Sequence, residues 1–114
     1  MEPSTLAILL VDDDPLLLRA MARLLKDRYV VRTANSAEQA QEIIGLARVN
    51  VVVSDYDMGH GLDGGQFLAW VETTHPVIRR VLCTGNLKAQ TDSAHVVLAK
   101  PATFDDLTSA IEGD

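Results

Sequence analysis

Leu6-Ala7-Ile8-Leu9-Leu10-Val11-Asp12-Asp13-Asp14-Pro15 is the stretch on which the fold turns. Its apolar half reads as a strand closed by two carboxylates. Asp14 and Pro15 then open a helix as N-cap and first helical residue, positions that suit a side-chain acceptor and a residue lacking an N–H. The same grammar recurs three times. Val51-Val52-Val53-Ser54 is closed by Asp55, Val81-Leu82-Cys83 by Thr84, and Val96-Val97-Leu98-Ala99 by Lys100. In an open α/β sheet, ligands sit outside the carboxyl ends of strands where the strand order reverses. Three carboxylates there repel one another, so an acid pair, a lone Asp, a hydroxyl and a Lys at four strand ends read as a metal and phosphoryl site.

Between these strands lie helix-like segments, the pattern of βαβ units around a parallel sheet. Leu17, Met21, Leu24 and Leu25 fall at helical spacing, predicting a first helix to about Asp27, with a short second strand over Tyr29 to Arg32. Ser36 and Gln39 read as a capping box before an inward face of Ala40, Ile43, Ile44 and Ala47. After a glycine-rich loop, Phe67, Trp70 and Val71 mark a third helix that ends before Pro76. The stretch from Asn86 to His95 is polar and brief, leaving room for a shortened fourth helix of one or two turns. Thr103 with Asp106 caps the last helix, whose inner face is Leu107, Ala110 and Ile111. The fold class is therefore α/β, a flavodoxin-like, doubly wound, five-stranded parallel sheet. Among the few possible windings, order 2-1-3-4-5 makes strands one and three neighbours at the switch point, so that Asp12, Asp13 and Asp55 converge, with Thr84 and Lys100 alongside.

Composition narrows the function. A chain of 114 residues, 47% hydrophobic, supports one core, so residues 1–114 are read as a single domain. A net charge of −6 with scattered Lys and Arg disfavours a nucleic-acid surface and favours a metal or protein partner. Cys83 is the only cysteine, which excludes an internal disulfide and a Cys-rich zinc site and leaves it the role of a small buried strand residue. Residues 1–5 carry no basic start, and Asp12 breaks the apolar run that follows them. This reads as a cytoplasmic chain with no membrane contact.

Leu10-Val11-Asp12-Asp13, Ser54-Asp55 with Met58 and Asp63-Gly64, Thr84-Gly85 and Lys100-Pro101 together resemble the receiver domain of two-component response regulators over nearly the whole chain. The resemblance implies a phosphorelay receiver in which Asp55 accepts a phosphoryl group from a histidine kinase or phosphotransfer protein. It further implies that Mg²⁺ is held by Asp13 and Asp55 directly, by Asp12 through water and by the backbone carbonyl of Asp57. Thr84 and Lys100 would contact the phosphoryl group, Gly85 would leave it room, and Asn86 would sit beside it. Such a domain catalyses only its own phosphorylation and dephosphorylation, and its shifted surface is read by a downstream effector. Mg²⁺ suits this set physically, since it prefers oxygen ligands, keeps several waters and needs only one or two carboxylates. Without a cation, at least one of the three carboxyl groups should have a raised pKa.

Three departures from the family pattern stand out. Gly59 occupies the usual Pro position and one residue is added before Asp63-Gly64, predicting a mobile loop. Val97 stands where many receivers carry an aromatic switch residue. The segment from Thr84 to Lys100 is short, which puts the fourth helix and the face it would offer in question. These departures favour an alternative, a pseudo-receiver that signals by protein contacts alone. The Asp55-Tyr56-Asp57 triplet also matches the Asp-x-Asp of haloacid dehalogenase-type phosphatases, although there it lies on the first strand of a larger chain. His60 reads as a solvated loop side chain, His75 and His95 point to function still less, and Trp70 reads as core. No effector domain follows Asp114, so the sequence is either a stand-alone receiver or a fragment of a longer protein.

Overall fold

The three inner apolar runs are buried on both faces and pair as the centre of a sheet with two more exposed edge strands, and the capped amphipathic segments cover them as helices. In the computed structural model, which describes residues 6–86 and 88–113, the order is β1 (Ala7–Val11), α1 (Pro15–Leu25), β2 (Val30–Ala34), α2 (Ala37–Leu46), β3 (Val51–Ser54), α3 (Gly64–Thr74), β4 (Arg79–Thr84), β5 (Val96–Ala99) and α4 (Phe104–Glu112). The readings made for residues 1–5 and for the chain end at Asp114 lie outside the described residues. All neighbouring strands are parallel, in the order β2-β1-β3-β4-β5. Val11 pairs with Ser54 and Thr84 with Ala99, so the residues that follow each strand emerge at one edge. No described helix is long and apolar enough to cross a membrane.

Alternation along the strands divides the core in two. Leu9, Val11, Val52 and Leu82 face α2 and α3, meeting Ala40, Ile44, Phe67, Leu68 and Val71. Ile8, Leu10, Val53, Val81 and Cys83 face α1 and α4, meeting Leu18, Leu25, Leu107, Ala110 and Ile111. Each fully buried aliphatic or aromatic side chain contributes roughly 1.5–3 kcal/mol relative to exposure. Trp70 sits at the rim of the first half, its ring 6.3 Å from Phe67 and 5.7 Å from His75.

The caps act as read, with one exception. Asp14 accepts from Leu16 and Leu17 N–H, and Thr103 and Asp106 cap reciprocally. Ser36 accepts from the Gln39 N–H, but the Gln39 side chain accepts from Asn35 instead of Ser36, so only half of that box forms. Asp63 and Gln66 form a full box that sequence reading did not single out. Helix α1 ends at Leu25 rather than Asp27, because both Arg28 and Tyr29 N–H turn back to the Leu25 carbonyl. Strand β2 correspondingly starts at Val30 and extends to Ala34, its register being dictated by β1 from Ala7 to Val11. Tyr29 is instead a buried anchor whose hydroxyl donates to Glu112 on α4.

Shortening of the segment before β5 goes further than the one or two turns expected, since no helix lies between β4 and β5 among the described residues. A buried arginine ties this segment to the turn that precedes β4. Arg80 donates to the carbonyls of Ser93, Pro76 and Ile78 at 2.7, 3.2 and 2.9 Å, and Ser93 Oγ donates to Glu72 on α3. His95 Nδ1 accepts from Arg80 N–H, giving this histidine a structural contact. With no helix over that corner, Val97 is 55% exposed.

Two glycines show opposite constraints. A Cβ on Gly64 would lie 2.0 Å from the Asp55 carbonyl oxygen, whereas one on Gly45, inside α2, meets nothing within 4 Å. Gly64→Ala is therefore expected to destabilise the fold by about 3 kcal/mol through overpacking. Gly45→Ala should stabilise it by about 0.5–1 kcal/mol through helix propensity. Denaturant unfolding of both variants beside the parent checks the pair, and a tolerated Gly64→Ala would show that α3 can back away from the site.

Candidate functional site

Strand pairing itself carries the acids to one place. Asp55 N–H donates to the Val11 carbonyl at 2.9 Å and Asp12 N–H to Ala34 at 3.1 Å, extending the ladders by one rung beyond β3 and β1. Asp12 and Asp55 are thereby buried, while Asp13, one residue on, is exposed. One carboxylate oxygen from each of Asp12, Asp13 and Asp55 lies within 4.8 Å of the others. Lys100, leaving β5 with its N–H on the Thr84 carbonyl, reaches across to place Nζ 2.9 Å from Asp12 Oδ2 and 3.1 Å from Asp55 Oδ1.

The acids are not equivalent. Asp12 is committed twice, through Oδ2 to Lys100 and through Oδ1 to the Asp14 N–H at 2.9 Å. Asp55 Oδ1 also accepts from Tyr56 N–H at 2.8 Å, and Oδ2 receives no hydrogen bond from the described residues. Burial pushes the Asp55 carboxyl group above its ordinary pKa, the Asp12 charge adds to this, and Lys100 and the Tyr56 N–H offset only part of it. Burial would lower Lys100, but Asp12 and Asp55 together outweigh that and hold its ammonium above the usual value. Cys83, beneath the site, has its thiol raised by burial, consistent with a packing role.

At the mouth, Thr84 Oγ1 accepts from Asn86 N–H at 3.0 Å, leaving the hydroxyl proton available to a ligand. Asn86 Nδ2 donates to Asp57 Oδ2 at 3.3 Å, so the two outer residues are linked to each other. Gly85 is open, the nearest atom to an added Cβ being Lys100 Cβ at 3.9 Å. His60 is exposed between Gly59 and Gly61 and stands apart from these contacts. An apolar cleft of about 380 Å³ between α1 and the turn after β5 opens beside Lys100, lined by Leu17, Met21, Leu24, Pro101 and Leu107.

These donors fit a hard divalent cation. They are oxygen atoms on one partly exposed edge, and the Asp13 carboxylate there is uncommitted. Two residues support the site in roles that sequence reading did not assign. Gly64 lets α3 close against the Asp55 carbonyl, and Glu38, on α2, accepts from Leu62 N–H in the following loop at 3.2 Å. The first could have been found in the Asp63-Gly64 pair; the second left no sequence signal, because the contact spans 24 positions.

Known proteins share both sequence and architecture. The family model described as the response regulator receiver domain matches residues 8–112. The transcriptional regulatory protein GlrR of Escherichia coli (strain K12) is 31% identical over 112 positions, covering 92% of this chain but 25% of that protein. The chain thus spans about a quarter of that relative's length. The signal receiver domain of an HD domain-containing protein from Pseudomonas fluorescens Pf-5 superposes with a TM-score of 0.89 at 25% identity, covering 96% of this chain and 94% of that one. A response regulator protein from Burkholderia pseudomallei, solved with a phosphorylated aspartic acid, calcium ion and citrate, gives 0.82 at 25% identity over 93% of this chain and 66% of that one. With the parallel order β2-β1-β3-β4-β5, the acid cluster at its switch point and a family match over nearly its whole length, the chain belongs to the response regulator receiver domain family.

Proposed function

We propose that this receiver takes a phosphoryl group onto Asp55 from a phosphohistidine on a histidine kinase or phosphotransfer protein, in the cytoplasm. The observation that carries the reading is a single lysine bonded to both Asp12 and Asp55 while one Asp55 oxygen stays uncommitted. That oxygen forms the new bond to phosphorus as the P–N bond of the donor breaks, the imidazole nitrogen keeping the electron pair. Lys100 moves its charge toward the arriving oxygens and Thr84 donates its free proton. Asp13 and Asp55 would hold Mg²⁺ directly, with Asp12 acting through water and the Asp57 carbonyl completing the set. When bound, the ion supplies positive charge that relieves carboxylate repulsion and neutralises phosphoryl oxygens. The cleft beside Lys100 suits the apolar face of a donor protein. The outcome is a changed surface read by a downstream effector.

One observation favours the second reading, a receiver that signals without phosphoryl transfer. Val97 replaces the aromatic residue of the resemblance and is 55% exposed, so it has no ring to move inward. Intact mass after treatment with a small phosphodonor and Mg²⁺ separates the two: a transient adduct in the parent that is absent from Asp55→Asn supports transfer, and no adduct supports contact signalling. Adduct persisting in Asp55→Asn would place the chemistry elsewhere.

Millimolar Mg²⁺ should raise the thermal midpoint by mass action, and Asp13→Asn should abolish most of that rise. Calorimetric titration gives the check, and a parent protein that neither binds nor gains stability would remove the metal assignment.

Asp55→Asn should also stabilise the metal-free protein at neutral pH. A folded-state pKa raised above the unfolded value means that stability falls as pH rises through that window, so ionised Asp55 destabilises the fold at pH 7. The advantage of the variant should shrink on acidification below the ordinary carboxylate range, while Lys100 keeps Asp12 as partner. Thermal melts of both proteins from neutral to acid pH test this; an Asn variant less stable throughout would refute it.

Asp57 and Asn86, joined by a hydrogen bond at the mouth, are the residues this reading assigns to controlling water access to the phosphoryl group. Asn86→Leu should slow dephosphorylation without blocking uptake, and Asp57→Ala, which releases Asn86, should change the rate as well. Equal decay rates for both variants and the parent would exclude these residues from setting the lifetime.

A further inference from the structure

The loop after Asp55, predicted to be mobile, is pinned from a helix that takes no part in the acid cluster. Glu38 lies in the first turn of α2, and its Oε2 accepts from Leu62 N–H at 3.2 Å. The same carboxylate lies flush against Gly61, where an added Cβ would fall 2.6 and 2.8 Å from its two oxygens. Gly61 also has φ of +79°, in the left-handed region, so glycine is needed there both for backbone conformation and for space. At the other end of this short loop, Gly59, with φ of +69°, runs beside Asp13. A Cβ there would lie 3.3 Å from Asp13 Oδ2.

A continuous path therefore runs from α2 through Glu38, Gly61 and Gly59 to the most exposed carboxylate of the cluster. We infer that Glu38 is a positioning residue for the cation site: it straps the loop of residues 57–62 to α2, so that the loop backbone stays against Asp13 and beside Asp55. Glu38 need not touch the cation. Its effect is to restrict the loop before binding, so that less freedom is lost when the ion arrives. The inference rests on the reading of Asp12, Asp13 and Asp55 as a divalent-cation site.

Glu38→Gln retains a side-chain oxygen able to accept from Leu62 N–H, whereas Glu38→Ala does not. If the strap acts through this hydrogen bond, Mg²⁺ should bind Glu38→Ala about fivefold more weakly than the parent, one hydrogen bond's worth, and Glu38→Gln within about twofold of it. Gly61→Ala, which displaces the Glu38 carboxylate, should resemble Glu38→Ala. Calorimetric titration with Mg²⁺ alone gives the affinities. Hydrogen exchange of the Leu62 amide in Mg²⁺-free buffer should be faster in Glu38→Ala than in the parent or Glu38→Gln, with melting curves confirming that all are folded. Equal affinities for the parent and Glu38→Ala overturn the inference, and equal weakening in the Ala and Gln variants assigns the effect to charge and overturns it too. A parent that binds no Mg²⁺ fails differently, because it removes the cation site itself and the strap's role with it.

Discussion

The ammonium of Lys100, set between Asp12 and Asp55, is the interaction on which the switch-point edge depends. Its side chain is 25% exposed, while those of Asp12 and Asp55 are 5% and 10% exposed. Carboxylates that far from solvent are strongly destabilising unless paired, and the lysine pairs both. It ties the end of β5 to the ends of β1 and β3 across the sheet, a link the strand ladder alone does not make. Yet burial, with the Asp12 charge added to it, outweighs what Lys100 and the Tyr56 N–H offset, which is why Asp55 remains hard to ionise despite its partner. The edge is stable enough to fold and still matched to more positive charge, the condition of a site that binds and releases a ligand.

A second buried cation organises the opposite problem. Between β4 and β5 the chain has few residues and no helix among the described ones, so carbonyls there lack the intrahelical N–H partners a helix would supply. Arg80 satisfies one of them, at Ser93, and with the same planar guanidinium takes the carbonyls of Pro76 and Ile78 just before β4, a task suited to its fixed fork of donors. The solution leaves β5 thinly covered. Its residues alternate between half-buried and exposed, in contrast with the wholly buried β1 and β3. The face that a helix would have presented there is replaced by strand and loop, and any partner reading this corner meets Val97 and backbone rather than a helical ridge.

Much of the molecule was legible because the signals were local. Apolar runs of strand length, Asp14-Pro15, Thr103 with Asp106, and polar residues ending each strand all act within a few positions, and each did what its spacing implied. The sheet order was legible too, since only one common winding gathers Asp12, Asp13, Asp55, Thr84 and Lys100 at one edge. Strand and helix ends were read less well, because β2 takes its limits from β1 and α1 its end from Tyr29 turning toward α4. Local propensity carries no trace of either partner.

The sequence by itself determined the fold class, the strand order and which residues share an edge, because periodicity and the placement of charge at strand ends follow from the chain's own chemistry. Only the tertiary structure decided how those residues divide their bonds. Lys100 takes Asp12 and Asp55 and leaves Asp13 to solvent; Asn86 takes Asp57; Glu38 takes the loop; Arg80 joins the carbonyl of Ser93 to those of Pro76 and Ile78. Each of these contacts joins segments whose distance in space depends on packing of the whole sheet and its helices. The energy of such a contact depends on burial and geometry that no short stretch of sequence contains.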